Sequence, residues 1–284
     1  MLNTAPRPTF AAAAALIVAG LLAAPAAAQT LDVTGLDADA VEATVTLPTG
    51  QSADLTVRFE AATNLTPETL GVAVRALGAT ETGLLARLPA GSPGTIAPAS
   101  GLPLLITVSP EPGFAFDGLA EVELYTTDLK FAAGSPLRMF KAEDGGAFRD
   151  ITTMNAGGSY RSRGSTGKFS EFLIVTDLRA PAVVLEQKAA RLDGLIADAR
   201  GAGGDALADA LAGDLAGVRA AAADGRYADA ITGADALAGR AEAAGASGAL
   251  PNTYTPNGAQ NLAGQIRAEA LTLRFTLTLA ANGF

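Results

Sequence analysis

Apolar and polar positions alternate along the chain from Leu31 to Leu178, most clearly in "AVEATVTL" (Ala40 to Leu47), "ADLTVRF" (Ala53 to Phe59), "LLITVS" (Leu104 to Ser109) and "AEVELYTT" (Ala120 to Thr127). A period of two puts the apolar side chains of each run on one face of a strand and the polar ones on the other. Turn-forming groups separate the runs, at Pro48-Thr49-Gly50, Pro110-Glu111-Pro112-Gly113, Asp144-Gly145-Gly146 and Ala156-Gly157-Gly158. Many short strands with frequent turns and no helical pattern between them predict an antiparallel β-sandwich over residues 30–179.

After Arg179-Ala180-Pro181 the period lengthens. Leu185, Ala189, Leu192, Ile196 and Ala199 fall on one face of a helix that Pro181 can open, because proline is tolerated in the first turn. A second seam runs through Leu207, Leu211, Leu215 and Val218 to a stop at Gly225, and a third through Tyr227, Ile231, Ala234, Leu237 and Ala241. The last segment fits two templates. "LTLRFTLTL" (Leu271 to Leu279) alternates like a strand, while Leu262, Ile266, Ala270, Leu273, Leu277 and Ala280 make a helical seam. The helical pattern begins earlier and Asn282-Gly283 supplies a stop, so a helix over 259–281 is preferred. Short connections then predict a four-helix bundle over 181–284. Small residues such as Ala208, Ala212, Ala216, Gly217 and Ala220 allow close helix approach, and no cavity is expected within it.

The first residues change the address. A basic Arg7, an apolar run from Phe10 to Leu22, Pro25, and small residues at Ala26 and Ala28 form a signal peptide over 1–28, which implies export to the periplasm or medium. No later stretch is apolar enough to span a bilayer as a helix, so the mature chain is expected to have no membrane span. The net charge of −9, made more negative when Arg7 leaves with the signal, repels polyanions and argues against nucleic acid as a partner.

The chain has no Cys and no His, which excludes disulfides, Ser-His and Cys-His nucleophile pairs, and zinc sites built on imidazole or thiolate. The stretch Gly164-Ser165-Thr166-Gly167-Lys168 suggests a phosphate loop, but the required spacing needs glycine at 162 and a hydroxyl at 169, where Ser162 and Phe169 stand. It is read instead as the glycine-rich turn of a hairpin.

Two constellations remain. Arg138, Lys141, Arg149, Arg161, Arg163 and Lys168 would form a basic patch for an acidic glycan or a partner's carboxylates if the strands present them on one face. Glu143, Asp144, Asp150, Glu171 and Asp177 are interleaved with them, so ordinary exposed ion pairs are the competing reading. Glu121, Glu123, Asp144 and Asp150 are the carboxylates from which a glycosidase pair would be drawn, although Glu121 and Glu123 more simply form the solvent face opposite Val122 and Leu124. Asp37 and Asp39, or Glu143, Asp144 and Asp150, supply oxygens for calcium but match no calcium-loop pattern. Metal and cofactor are therefore both expected to be none.

The block "SPEPGFAFDGLAEVELYTTDL", with "SPLRMFKAEDGGAFRDITT" and "GSYRSRGSTGKFSEFLIV", resembles the closing half of bacterial cell-surface β-sandwich modules over Ser109 to Val175. "LADALAGDLAGVRAAAADGRYADAITGADALAGRAEAAGASGAL" with "NLAGQIRAEALTL" resembles the helical FIMAH module of secreted bacterial proteins, although "ALAGRA" (Ala236 to Ala241) stands in place of its Phe-Ile pair. The order of parts resembles an uncharacterised exported bacterial family from which no activity carries over. The expectation is an exported, non-enzymatic binding or scaffold protein whose partner is an envelope protein or acidic glycan. The alternatives are a carboxylate-dependent glycan hydrolase and a subunit of an envelope assembly.

Overall fold

Strands form along the alternating region, at Asp32–Leu36 (β1), Ala40–Thr46 (β2), Ser52–Thr63 (β3), Val72–Ala76 (β4), Ile96–Pro98 (β5), Leu104–Val108 (β6), Ala115–Thr126 (β7), Leu137–Ala142 (β8), Arg149–Asp150 (β9), Thr152–Ala156 (β10), Tyr160–Thr166 (β11) and Glu171–Asp177 (β12). The computed structural model describes residues 32–78, 81–90, 94–143, 145–258 and 260–284. The signal peptide read at 1–28 and Asp144 lie outside the described residues.

The strands make two antiparallel sheets. One has the order β1-β2-β3-β7-β11-β10, and the other β4-β6-β12-β8-β9 with β5 beside β12. Their facing sides share one core in a sandwich-like arrangement: Val57, Phe59, Phe116 and Val122 come from the first sheet, and Ile106, Met139, Phe172 and Ile174 from the second. The few rings of this aromatic-poor chain are concentrated there. Phe59, Phe114, Phe116 and Phe169 meet mostly tilted or edge-on, and the Phe59–Phe116 centroids lie 5.3 Å apart. Each fully buried ring contributes about 1.5–3 kcal/mol of apolar transfer. Val122 and Leu124 point inward while Glu121 and Glu123 line the outer face, as the alternation requires.

Two short helices interrupt the strands, Pro67–Leu70 (α1) and Thr82–Leu85 (α2), and no periodic pattern announced them. Local chemistry makes the first: Thr66 and Thr69 form a reciprocal capping box, Pro67 opens the turn, and Gly71 ends it at φ 62°. The long helices are Pro181–Gly203 (α3), Asp205–Ala223 (α4), Tyr227–Ala246 (α5) and Leu262–Ala281 (α6). Leu192, Leu211, Leu215, Leu237, Ile266 and Leu273 meet in a second core. Residues 271–279 are thus helix.

The change of period at Pro181 does not separate an all-β unit from an all-α one. Thr253–Tyr254 (β13) returns to pair with β7, Thr253 opposite Asp117 and Tyr254 opposite Phe116, so one strand lies within the helical half. Helix α6 packs on β7, β10 and β11 as well as on α3 and α5. The fold is better described as mixed, two antiparallel sheets with six helices among the described residues. The physical reason lies in α6, which is buried on two sides. Leu262, Ile266, Ala270, Leu273 and Leu277 face the helices, while Gln265, Glu269, Thr272 and Thr276 form a buried polar stripe on another side. Contact with the sheets is backbone-close at its start: Asn261 caps the helix by accepting from Gly264 N at 2.8 Å and donates to Gly118 O at 2.6 Å.

Candidate functional site

The six basic residues do not lie on one face. Arg161 and Arg163, two apart on β11, project from the outer face of the first sheet and share Glu123 of β7. Arg163 donates to it at 2.8 Å, and Arg161 also lies over the Tyr125 ring. Arg138 turns toward its own strand's start, donating to Leu137 O at 2.8 Å and to Ser135 O, with its guanidinium over Phe275 of α6. Lys141, Arg149 and Lys168 converge on a third place, around Glu143. The structure therefore divides them into a pair, a lone arginine and a triplet, each with its own carboxylate or carbonyl acceptors.

The Glu143 group is the most buried of these. Lys141 is fully buried on the inter-sheet side of β8, and its ammonium donates to Thr166 Oγ1 at 2.6 Å and to Glu143 at 3.0 Å. Burial pushes its pKa down to about 7, helped by repulsion from Arg149. Burial alone would raise Glu143, but Lys141 and Arg149 outweigh it and hold the carboxyl well below the usual range. Arg149 reaches on to Glu269 of α6 at 3.5 Å, which ties the sheets to the helix. Beside it Lys188 of α3 pairs with Asp150 at 2.8 Å, and both are buried. Sequence reading missed Lys188 and Glu269. Their signal was a charge on the inward side of a helical stripe, Lys188 beside Ala189 and Glu269 beside Ala270.

A stability profile follows from Lys141. Its folded value lies below its ordinary value of 10.5, so between about pH 7 and 10 the unfolded chain holds a proton that the folded chain lacks. Stability therefore rises with pH across that window, by up to about 1.4 kcal/mol per pH unit from this one group. Burial raises Tyr160 above its ordinary 10.0, so above pH 10 unfolding releases a proton and stability falls again. Urea midpoints at pH 7, 8.5 and 10 are expected to climb for the wild type and to stay nearly flat for Lys141→Met.

The stretch read as a hairpin turn is something else. Strands β11 and β12 belong to different sheets, so Gly167 lies where the chain crosses between them, and Gly164 is inside β11. Neither has a positive φ. They are glycines because of crowding: a Cβ on Gly164 would lie 2.5 Å from Ile151, and one on Gly167 would lie 2.5 Å from Gln265 N of α6. The carboxylates are likewise dispersed. Glu121 and Glu123 face outward, and Asp150 is bound to Lys188. Asp39 accepts from Ala62 N at 2.7 Å, a loop-fixing role, and no group of three or more Asp or Glu gathers in metal-binding geometry among the described residues.

The helices hold a cavity that the small residues had argued against. It measures about 650 Å³ and opens at the end where α3 and α5 begin and α4 and α6 finish. Leu185, Ala189, Val218, Ala222, Leu273 and Leu277 wall it, with Tyr227 and the ion-paired Arg219 and Glu186 also on its lining. Close approach occurs at one of its walls: Gly233 of α5 lies where a Cβ would be 2.9 Å from the Val218 side chain of α4. At the open end Ala189, Ala222 and Ala280 are too short to fill the gap between the leucines. Leu178, Val183 and Phe284 are exposed near this end, and the Phe284 ring, which lines the cavity, rests against Gly134. The volume and apolar walls are those of a small-molecule site.

Fold and cavity define a mixed α/β chain with a ligand-sized apolar pocket among its helices. The chain belongs to a family of unknown function, DUF6689, whose family model matches residues 15–281. No curated protein and no solved structure matches it. No helix among the described residues is long and apolar enough to cross a membrane.

Proposed function

We propose that this chain is an exported, non-enzymatic binding protein of the bacterial envelope that receives an apolar or amphipathic molecule in the cavity at the helix ends. The observation that carries the reading is the 650 Å³ apolar cavity itself. Its size suits a ligand whose body is buried among leucines, with the Arg219–Glu186 pair and Tyr227 on the lining to meet a polar end. Export rests on the signal pattern over 1–28. The cell-surface-type sandwich strands over 30–179 and the FIMAH-like helices over 181–284 belong to the same proposal as two halves of one packed fold, with the helices as the receiving part. Catalysis is the weaker reading because Glu123 and Asp150, from the candidate acid-base set, are held in ion pairs.

Titration with an apolar fluorophore such as N-phenylnaphthylamine tests this. The mature chain is expected to give saturable one-site enhancement, and Ala222→Trp, which fills the cavity, to abolish it while leaving the unfolding free energy within about 1 kcal/mol of wild type. Enhancement that is unchanged in Ala222→Trp would place the apolar site elsewhere and overturn the proposal.

A further inference from the structure

A second, smaller cavity of about 220 Å³ lies where α3 meets the sheets. Four cations line it, Arg149, Arg179, Lys188 and Arg191, against two carboxylates, Asp150 and Glu269. Three of the cations are already satisfied in charge. Lys188 pairs with Asp150 at 2.8 Å, Arg179 with Asp177 at 2.6 Å, and Arg149 with Glu143 at 2.9 Å and Glu269 at 3.5 Å. Glu143 is in turn shared with Lys141, so the carboxylates of this cluster are fully committed. Arg191 has no hydrogen-bond or ion-pair partner among the described residues, and its Nε is buried without an acceptor. Arg149 Nε is also buried without a hydrogen-bond acceptor, because Glu269 stands within ion-pair range but out of line.

Arg149 and Arg191 line one small cavity, each with an Nε that is buried without an acceptor, and the cations around it outnumber its carboxylates. Buried donors left unpaired are costly, and an anionic acceptor satisfies both the hydrogen bonds and the charge. The side-on edge of a guanidinium, Nε with one terminal nitrogen, matches the two oxygens of a carboxylate. Pro89, Phe148 and Val184 supply an apolar wall for the rest of such a molecule. The volume equals about seven waters' share of the liquid, which suits a short organic acid or a single sugar acid. We infer that the cavity between α3 and the sheets is a binding site for a small carboxylate, with Arg191 as its main anchor and Arg149 as the second donor. The site is separate from the cavity at the helix ends, and it stands whether or not that one binds an apolar molecule.

Calorimetric titration of the mature chain at low ionic strength with galacturonate, succinate and inorganic phosphate tests the assignment. Galacturonate or succinate is expected to bind once per chain, and Arg191→Gln to weaken that binding about tenfold or more. Arg191→Lys is expected not to restore it, since an ammonium lacks the side-on edge. Arg219→Gln, at the other cavity, should leave it unchanged. Because Arg191 has no partner to lose, both Arg191 variants are expected to keep the wild-type urea midpoint. Binding of phosphate alone, carboxylate binding indifferent to Arg191→Gln, or no saturable binding by any probe would overturn the inference.

Discussion

Asp150→Ala is expected to lower the unfolding free energy by about 3–5 kcal/mol, the range for breaking a buried ion pair from one side. The reason is the charge left behind. Lys188 is buried on α3, and without Asp150 its ammonium retains Thr272 O at 3.0 Å and Thr276 Oγ1 at 2.9 Å but no counter-charge. The substitution also removes the acceptor for Thr152 N, 2.8 Å from Asp150 Oδ1, at the point where β9 passes into β10. The control is the double variant Asp150→Asn with Lys188→Met, which removes both charges and keeps an acceptor for Thr152. It should recover most of the loss, since an apolar side chain in place of a buried charge is often neutral or better. Urea midpoints of the wild type, Asp150→Asn, Lys188→Met and the double variant measure the coupling, and a double variant as unstable as Asp150→Ala would show that packing, not charge, carries the effect.

Gly167→Ala is expected to cost about 1–3 kcal/mol, a large effect for one methyl group, because the new carbon meets backbone that has no room to yield. Its nearest neighbours would be Gln265 N at 2.5 Å and Gly264 C at 2.7 Å, both in the first turn of α6. On the other side of that turn a Cβ on Gly264 would lie 2.3 Å from Gly118 O of β7. Helix α6 is thus wedged between two glycines of the sheet region, and Val in place of Gly167 should be worse than Ala. Gly213→Ala is the matched comparison: it lies inside α4 with nothing within 4 Å of the new carbon. There helix propensity alone acts, and the change should stabilise by up to about 1 kcal/mol. Opposite signs for the same chemical change at two positions would isolate the steric wedge.

These two effects also mark where sequence reading stops. The strands in the first two thirds and the four long helices were legible, because each buries one face and leaves a period behind, as in Val122 and Leu124 against Glu121 and Glu123. Helix α6 was ambiguous for a physical reason. Thr272 and Thr276 face a polar seam while Leu273 and Leu277 face the helices, so a helix buried on two sides alternates locally like a strand. Strand β13 is two residues long and has no period to read. Glycines at 164 and 167 were legible as conspicuous but not as crowded, since close approach involves partners more than 10 positions away, Ile151 for one and Gln265 for the other. Of the candidate sites, the basic residues were visible one by one, yet their separation onto two strand faces and a buried cluster depends on pairing register. The cavity at the helix ends was invisible because small residues signal close packing in one place and a gap in another.

The seam formed by α6, β13 and the Lys188–Asp150 pair implies that strands and helices unfold together, and the two cavities depend on that union for their walls. Scanning calorimetry of the mature chain tests this most directly. A single transition with a calorimetric to van't Hoff enthalpy ratio near one is expected. Two resolved transitions, with Gly167→Ala moving neither, would mean that the sheets and the helices are independent units joined only by the chain.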